Sequence, residues 1–272
     1  MSRDPLTPVE LKRGLVEMLS DFAEFADRHD LKYMIAYGTL LGAVRHEGFI
    51  PWDDDIDLEM PRPDYERMLT YMYDGRLPCY FKHERNGGFL FPYAKLARRD
   101  IEIDDPFWAR WGTQHLFIDI FPLDPLPEDQ EEARNAYAEA LAIKRALAVS
   151  DVNIGARPNW AKLQAKKVAL RLRGGANVSR ERALNRFANL RQRLGSYDQA
   201  RMVGQLALPT EGLIESYDKA SFEKTVRLSF EGLSLPAPSC WRECLESNYG
   251  DYMLFPPLEA RAGHGLKGYR VE

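Results

Sequence analysis

Residues 51–58 read PWDDDIDL, and this short stretch decides how the surrounding chain is interpreted. Four of its eight residues are aspartates, although the stretch also contains large apolar side chains. In an extended strand, side chains two residues apart point to the same side. The pattern therefore predicts a strand with Asp53, Asp55 and Asp57 on one face and Leu58 turned towards the core.

Three carboxylates on one face repel one another unless a cation lies among them. Mg²⁺ fits this role, because it prefers oxygen ligands and usually takes one or two carboxylates from the protein. Its other positions are then filled by water and substrate phosphate. We therefore expect Asp53, Asp55 and Asp57 to bind Mg²⁺, with Mn²⁺ as the alternative ion. An acidic turn capped by backbone amides is another interpretation. A calcium loop fits poorly, because the glycine and distal glutamate of an EF-hand are missing.

A second acidic position lies in HLFIDIFPLD, residues 115–124, where Asp119 is surrounded by apolar residues. A carboxylate in an apolar strand is costly unless it is paired. Asp119 is predicted to share the cation with Asp55 and Asp57 or to act as a general base. A salt bridge to a core arginine remains the structural alternative.

A glycine and a threonine lie upstream, where an apolar run ends and a short helix is predicted to begin. Gly38 allows the backbone to approach a ligand closely, and the amides at a helix N-terminus bind phosphate. A Gly38–Thr39 pair is weak evidence by itself. Its informative context is the order: strand, Gly-Thr, short helix, Asp-x-Asp on the next strand, and an isolated aspartate on a later strand.

The rest of the chain predicts an α+β fold with a mixed sheet flanked by helices. The first helix is expected to begin at Thr7, with a capping box and an apolar face. Short β-like segments fill the region from 79 to 123. The predicted organisation is a catalytic core (1–127), a helical and partly basic insertion (128–195), and a C-terminal α+β segment that completes the core (196–272).

Composition narrows the class of protein. The 272 residues are 45% hydrophobic and 29% charged, which is typical of a globular protein, and the net charge of −4 does not suggest a nucleic-acid partner. Three scattered cysteines suit a reducing compartment. Without an apolar signal or spanning stretch, the expected location is the cytoplasm, with peripheral contact at the inner face of the plasma membrane.

The wording YGTLLGAVRHEGFIPWDDDIDLEM, residues 37–60, resembles the LicD family of phosphotransferases, which has a nucleotidyltransferase-like fold. IDIFPLD (118–124) and NYGDYMLFPP (248–257) resemble two further segments of that family. The family includes cholinephosphotransferases that modify bacterial surface glycans such as lipopolysaccharide or teichoic acid. It is also similar to the fukutin-related transferases.

The resemblance implies transfer of a phospho-alcohol, such as phosphocholine, from a CDP-activated donor to a glycan hydroxyl, with release of CMP. It implies that Asp55 and Asp57 bind the metal, with Asp53 as a further ligand or as a neighbour that supports the ligands, and Asp119 as the third carboxylate. It also implies that Gly38 and Thr39 form a phosphate-contacting turn.

Basic and aromatic residues complete the expected site. The following four residues are candidates to neutralise the donor diphosphate: Arg45, Lys95, Arg98 and Arg99. Five aromatic residues are available to surround a choline cation: Trp52, Tyr93, Phe107, Trp108 and Trp111. His264 is a candidate contact to donor or acceptor. Each of these residues has an alternative role as a solvated charge, a core side chain or part of a terminal tail.

Residues 162–193 carry an excess of Lys and Arg interleaved with apolar residues. This pattern is typical of a helix that lies on an anionic membrane, although a solvated helical face packed on the core is its more common origin. Two further functions stay open for the whole chain. One is a nucleotidyltransferase that modifies a small-molecule or sugar hydroxyl, and the other is an inactive relative that binds glycan or membrane.

Overall fold

The fold was obtained as a computed structural model that describes residues 4–87, 89–104, 114–150, 179–213, 215–261, 263 and 265–271. Within these ranges, seven α-helices flank a mixed β-sheet, which confirms the predicted α+β class. The helices are α1 (Pro8–Arg28), α2 (Tyr37–His46), α3 (Arg62–Met68), α4 (Gln130–Ser150), α5 (Arg180–Leu194), α6 (Lys219–Glu223) and α7 (Trp241–Tyr249).

The strands follow in chain order and supply one large sheet and one hairpin. They are β1 (Asp4–Leu6), β2 (Met34–Ile35), β3 (Asp57–Pro61), β4 (Cys79–Lys82), β5 (Ala94–Asp104), β6 (Gln114–Leu126), β7 (Met202–Gln205), β8 (Tyr217–Asp218), β9 (Thr225–Phe230), β10 (Leu233–Pro238) and β11 (Lys267–Arg270). The large sheet runs in the order β1-β11-β5-β6-β3-β2, with β4 paired to β5, β7 paired to β6, and β8 paired to β7. β9 and β10 form the hairpin.

The pairing of β3 with β6 is parallel, whereas the other pairings described in the large sheet are antiparallel. Asp57 on β3 lies directly opposite Asp119 on β6. β5 runs along the other side of β6 and places Lys95 opposite Asp119. Three charged residues from three adjacent strands therefore meet at one position of the sheet.

Helix α1 begins as its sequence predicts. The Thr7 hydroxyl accepts a hydrogen bond from the Glu10 amide, and the Glu10 carboxylate accepts one from the Thr7 amide. Both hydrogen bonds of the capping box therefore form. The predicted apolar face of α1 is buried in the main core, and it consists of Leu11, Leu15, Leu19, Phe22 and Phe25. The helix thus covers the sheet through an amphipathic stripe.

A second apolar cluster joins α4 and α5 to β6. Phe121 and Leu126 from β6 pack with Tyr137 of α4 and Phe187 of α5. This cluster lies on the same face as Asp119, because Phe121 is two residues further along the strand. Among the residues described, no helix has the length and apolar character needed to cross a bilayer.

Candidate active site

The acidic stretch is less extended than predicted. β3 begins only at Asp57, and the residues from Asp53 to Ile56 form an irregular segment after a turn at Pro51 and Trp52. The Asp53 amide donates to the Ile50 carbonyl at 2.9 Å, which draws the chain out of a strand conformation. The expectation that Asp53, Asp55 and Asp57 share a strand face was therefore wrong for the first two residues.

The carboxylates converge nonetheless. Burial, followed by the charges of Asp55, Asp119 and Asp53, raises the pKa of Asp57 well above its usual value. The Asp119 amide donates to the Ile56 carbonyl at 3.0 Å, which continues the parallel ladder up to the first residue of β3. Loop residues and two adjacent strands therefore concentrate negative charge on one face of the sheet.

Lys95 is the cation that faces this cluster from β5. Its ammonium group lies 2.5 Å from the Asp119 carboxylate and 3.3 Å from the centre of the Phe117 ring, and the residue is 2% exposed. Burial lowers the pKa of Lys95, and Asp119 opposes that shift. The predicted salt bridge of Asp119 thus exists with a lysine rather than an arginine. The Lys95–Asp119 ion pair accounts for one carboxylate, and Asp53 and Asp55 still act on Asp57 as like charges.

Gly38 and Thr39 lie in the first turn of α2, which begins at Tyr37, two residues before Thr39, where the sequence predicts the helix to start. The Thr39 hydroxyl accepts the Asp57 amide at 2.9 Å and therefore ties α2 to the start of β3. A Cβ atom on Gly38 would lie only 2.5 Å from an Asp53 carboxylate oxygen. Glycine at this position lets Asp53 approach the positive end of the helix.

The other basic candidates have partners within the protein. The Arg45 guanidinium donates to the carbonyl oxygens of Tyr252 at 3.0 Å and Leu254 at 3.4 Å. Arg98 pairs with Glu17 and Asp100, and because it alternates with Lys95 along β5, it points to the opposite face of the sheet. Arg99 stacks on Tyr80 at 4.1 Å. Of these four cations, Lys95 is the one whose ion pair joins the acidic cluster.

A sequence profile described as the LicD/FKTN/FKRP nucleotidyltransferase domain matches residues 30–140. This range contains α2, β3, β5 and β6, and hence every carboxylate of the cluster. Residues 30–140 form a LicD-family domain. The resemblance first drawn from residues 37–60 is confirmed.

Relatives extend the similarity beyond this domain. The lipopolysaccharide cholinephosphotransferase LicD of Haemophilus influenzae is 26% identical over 96% of this chain and 97% of its own length. An uncharacterised protein of Rickettsia prowazekii is 46% identical over 32% of this chain and 39% of its own length. The first similarity includes the C-terminal residues that follow the LicD-family domain.

Three of the predicted aromatic contacts and His264 fall outside the described residues, and these aromatic residues are Phe107, Trp108 and Trp111. Tyr93 is buried next to the cluster, where burial and then Asp119 and Asp57 raise its pKa. Trp52 directly precedes Asp53 and packs edge-on against Phe255, with ring centres 6.2 Å apart.

The basic segment 162–193 is described only from residue 179 onwards, and Arg180, Arg191 and Arg193 of α5 contact other parts of the protein. Arg191 lies 3.3 Å from the Asp124 carboxylate, which is 0% exposed. Asp124 also holds Arg62 of α3 through two hydrogen bonds of 2.8 and 2.6 Å. For this part of the segment, the contacts agree with a helical face packed on the core.

A buried acidic pair, Glu59 and Glu215, lies next to the cluster and was not predicted from the sequence. The Tyr37 hydroxyl lies 2.9 Å from a Glu59 oxygen and 2.7 Å from a Glu215 oxygen. Burial raises the pKa of Glu59 to about 8 and that of Glu215 to about 7. A phenol has one proton to donate, so the second contact requires one carboxyl group to be protonated and to donate back.

Glu59 and Glu215 fix Tyr37, the first residue of α2, next to the acidic cluster. Glu59 lies two residues after Asp57 and therefore projects from the same face of β3. Tyr37 has a left-handed φ of 45°, which is uncommon for a residue with a side chain, and its two carboxyl contacts hold it there. The sequence carried a signal for Glu59, because the alternation of side chains that grouped the aspartates places Glu59 on the same face as Asp57. Glu215 carried no comparable signal, because it comes from a distant segment.

The carboxylates of the cluster fit a metal ion that needs few protein ligands. Within the described part of the chain, no three His, Cys, Asp or Glu side chains are gathered closely enough to enclose an ion. Mg²⁺ does not require such an enclosure, since it usually takes one or two protein carboxylates and completes its shell with water and phosphate. Asp57, with Asp55 and Asp119 near it, has the oxygen ligands and excess negative charge that suit this ion.

Proposed function

We propose that the protein is a metal-dependent transferase that moves a phospho-alcohol, phosphocholine foremost, from a CDP-activated donor to a glycan hydroxyl and releases CMP. One observation carries this proposal: Asp57 and Asp119 lie opposite each other on adjacent parallel strands of a LicD-family domain, with Asp55 beside them. The name of the full-length relative supports phosphocholine as the group and lipopolysaccharide as the acceptor class.

Asp55 and Asp57 would hold Mg²⁺ or Mn²⁺, with Asp53 and Asp119 as the nearest further carboxylates. A bound divalent ion supplies charge stabilisation for the oxygens of the transferring phosphoryl group. The protein's own contribution is to keep the carboxylates rigid. The Thr39 hydroxyl fixes Asp57 by accepting a hydrogen bond from the Asp57 backbone amide. The Lys95 ammonium fixes the Asp119 carboxylate through their ion pair.

The donor phosphates would be bound at the N-terminus of α2. Ala36, the residue before the helix, has no side chain that could cap it. Gly38 leaves room at this end, where the Asp53 carboxylate already approaches, so a phosphate would be bound there together with the metal ion that Asp53 helps to hold. Arg45 leaves the same helix near its C-terminal end and is held by carbonyl oxygens. Its contribution to phosphate binding is therefore proposed as an electrostatic one at longer range.

Asp119 would accept the proton of the attacking hydroxyl. A general base must be ionised and within hydrogen-bond reach of the proton it takes. The Lys95 ammonium stabilises the ionised form of Asp119, and the apolar ring of Phe117 beneath Lys95 keeps the pair out of bulk water. The same contact sets the orientation of the carboxylate.

The decisive experiment offers CDP-choline, CDP-ethanolamine, CDP-glycerol and CDP-ribitol, each with a glycan acceptor and with Mg²⁺, Mn²⁺ or chelator. CMP release with the phospho-alcohol on the acceptor supports the proposal. Transfer of CMP itself to the acceptor would instead identify a nucleotidyltransferase. Binding of glycan without turnover of any donor would identify an inactive relative.

A matched pair of variants sharpens this test. Asp57→Asn should abolish turnover. Asp54→Asn should retain it, because the Asp54 carboxylate accepts the Leu266 amide at 3.1 Å and an asparagine oxygen can accept the same bond. Both substitutions remove one charge from the same acidic stretch. Equal activity of the two variants would contradict the assignment of the metal ligands.

A further inference from the structure

An exposed apolar patch lies on the loop that follows α7. Five of the seven large hydrophobic side chains that are exposed among the described residues belong to residues 249–258. Four of them define the patch: Met253 is 56% exposed, Leu254 69%, Phe255 51% and Leu258 74%. At about 200 Å² for a fully exposed large side chain, they present roughly 500 Å² of apolar surface.

Two arginines, Arg45 and Arg261, stabilise this loop by hydrogen bonds to its backbone carbonyl oxygens. Arg45 donates to the carbonyl oxygens of Tyr252 and Leu254, and Arg261 donates to that of Pro256 at 2.8 Å. Both guanidinium groups lie over the Phe255 ring, at 4.6 and 5.4 Å from its centre. The apolar side chains are therefore displayed by a loop with several of its backbone acceptors already satisfied.

Part of the backbone of this loop is paired within the protein or has no donor to pair. The Leu254 amide donates to the Asp251 carbonyl at 3.0 Å, and the two prolines at positions 256 and 257 have no amide hydrogen. Backbone groups that enter hydrocarbon must be paired within the protein. Asp251 and Glu259 flank the patch and offset the two arginines, so its attraction to a surface would come mainly from apolar contact.

The patch borders the acidic cluster. Trp52 packs against Phe255 and directly precedes Asp53. Packing around Tyr249, followed by the charges of Asp57 and Asp53, raises the pKa of this tyrosine, which places the start of the loop within the field of the cluster. A surface that received the patch would therefore lie beside the proposed transfer site.

We propose that the patch, Met253, Leu254, Phe255 and Leu258, inserts into the boundary between headgroups and acyl chains of a lipid layer. Its area is smaller than the roughly 800 Å² per partner of a typical stable protein interface, which disfavours a second copy of the chain. Shallow insertion of a few large apolar side chains is a common mode of peripheral membrane binding. Resting on the proposed transferase function, this docking selects acceptor glycans that are attached to lipid.

Vesicle flotation of the full chain tests the docking directly. The probes are phosphatidylcholine vesicles with and without phosphatidylglycerol, each at low and high salt. Leu254→Ser with Leu258→Ser should weaken binding about tenfold or more, because two leucines lose their apolar transfer energy. The matched control is Val9→Ser with Met72→Ser, which removes two side chains that are 76% and 90% exposed elsewhere, and it should bind as the wild type does.

Other outcomes overturn the proposal. Absence of binding to both kinds of vesicle would do so. Binding that disappears at high salt and survives the leucine substitutions would assign membrane contact to a basic surface instead. A change of oligomeric state in the leucine variant would assign the patch to a second copy of the chain.

A second readout separates this proposal from the proposed activity. With an active donor, the leucine variant should transfer to a soluble acceptor at the wild-type rate and lose transfer to an acceptor embedded in vesicles. If it loses both reactions equally, the patch belongs to the catalytic machinery and the docking proposal fails. If every donor is inert, the transferase function fails, while the flotation result still decides the docking.

Discussion

The substitution Asp57→Asn distinguishes two effects of the acidic cluster. One is the loss of folding stability from repulsion between carboxylates, and the other is the binding of metal. Asp57 faces Asp55, Asp119 and Asp53 in a buried setting. Two like charges about 5 Å apart repel by roughly 3 kcal/mol at an effective dielectric constant of about 20. Attraction to Lys95 offsets part of this repulsion. Without metal, we therefore expect the substitution to raise the free energy of unfolding by about 1–3 kcal/mol.

The sign of the pH dependence follows from the same pKa. Because the folded protein raises the pKa of Asp57 above the 3.8 of a free side chain, it binds more protons than the unfolded chain as pH increases above that value. The stability associated with this group is present at low pH and is lost as pH rises. The advantage of the Asp57→Asn variant over the wild type should therefore be larger at alkaline than at acidic pH.

Metal should reverse the order of stability. An ion at 100 times its dissociation constant stabilises the folded state by about 2.7 kcal/mol. For a chain of this size, that corresponds to a rise in melting temperature of about 5–10 °C. Thermal unfolding followed by circular dichroism, with chelator and then with Mg²⁺ or Mn²⁺, should show this rise for the wild type and for Asp54→Asn but not for Asp57→Asn.

Two results would refute this reasoning. The first is a lower melting temperature for Asp57→Asn in chelator, which would mean that the carboxylate stabilises the fold without metal. The second is an equal response of the wild type and Asp57→Asn to both ions, which would place any metal elsewhere.

Two further predictions concern the buried groups around the cluster. Glu59→Gln should flatten the pH dependence of stability: burial raises the pKa of Glu59 from 4.5 to about 8, so the wild type loses up to roughly 5 kcal/mol as pH rises through that window. Urea unfolding at several pH values measures this, and an unchanged slope would contradict the shared proton at Tyr37. Lys95→Met should destabilise the protein by about 3–5 kcal/mol, because Asp119 then remains as an uncompensated buried charge. The double variant Lys95→Met with Asp119→Asn should recover part of that loss, and strict additivity of the two effects would argue against the pair.

The helices and strands that were predicted correctly from the sequence are determined by residues that lie close together along the chain. The capping box at Thr7 and the apolar periodicity of α1 both depend on neighbours in sequence, and the helix begins where they indicate. The start of α2 was placed two residues late because Tyr37 has an unusual φ. Its phenol is held by Glu59 and Glu215, and the second of these comes from a distant part of the chain.

The candidate site shows the same division. Alternation predicted a strand through Asp53 and Asp55, but a turn at Pro51 and Trp52 delays β3 until Asp57. Arg45 was an expected phosphate contact from its position in the sequence, whereas the structure engages it with carbonyl oxygens of the C-terminal loop. These partners lie more than 200 residues away, so no local pattern identifies them.

By itself, the sequence determined the α+β class, the LicD-type character of the region around the aspartates, and the chemical types present at the site. It did so because propensity, alternation and motif wording are properties of neighbouring residues. Only the tertiary structure decided that Asp57 lies opposite Asp119, that Lys95 rather than an arginine pairs with it, and that Glu59 and Glu215 share a phenol. Strand register and burial set these contacts, and both depend on segments that meet only after the chain has folded.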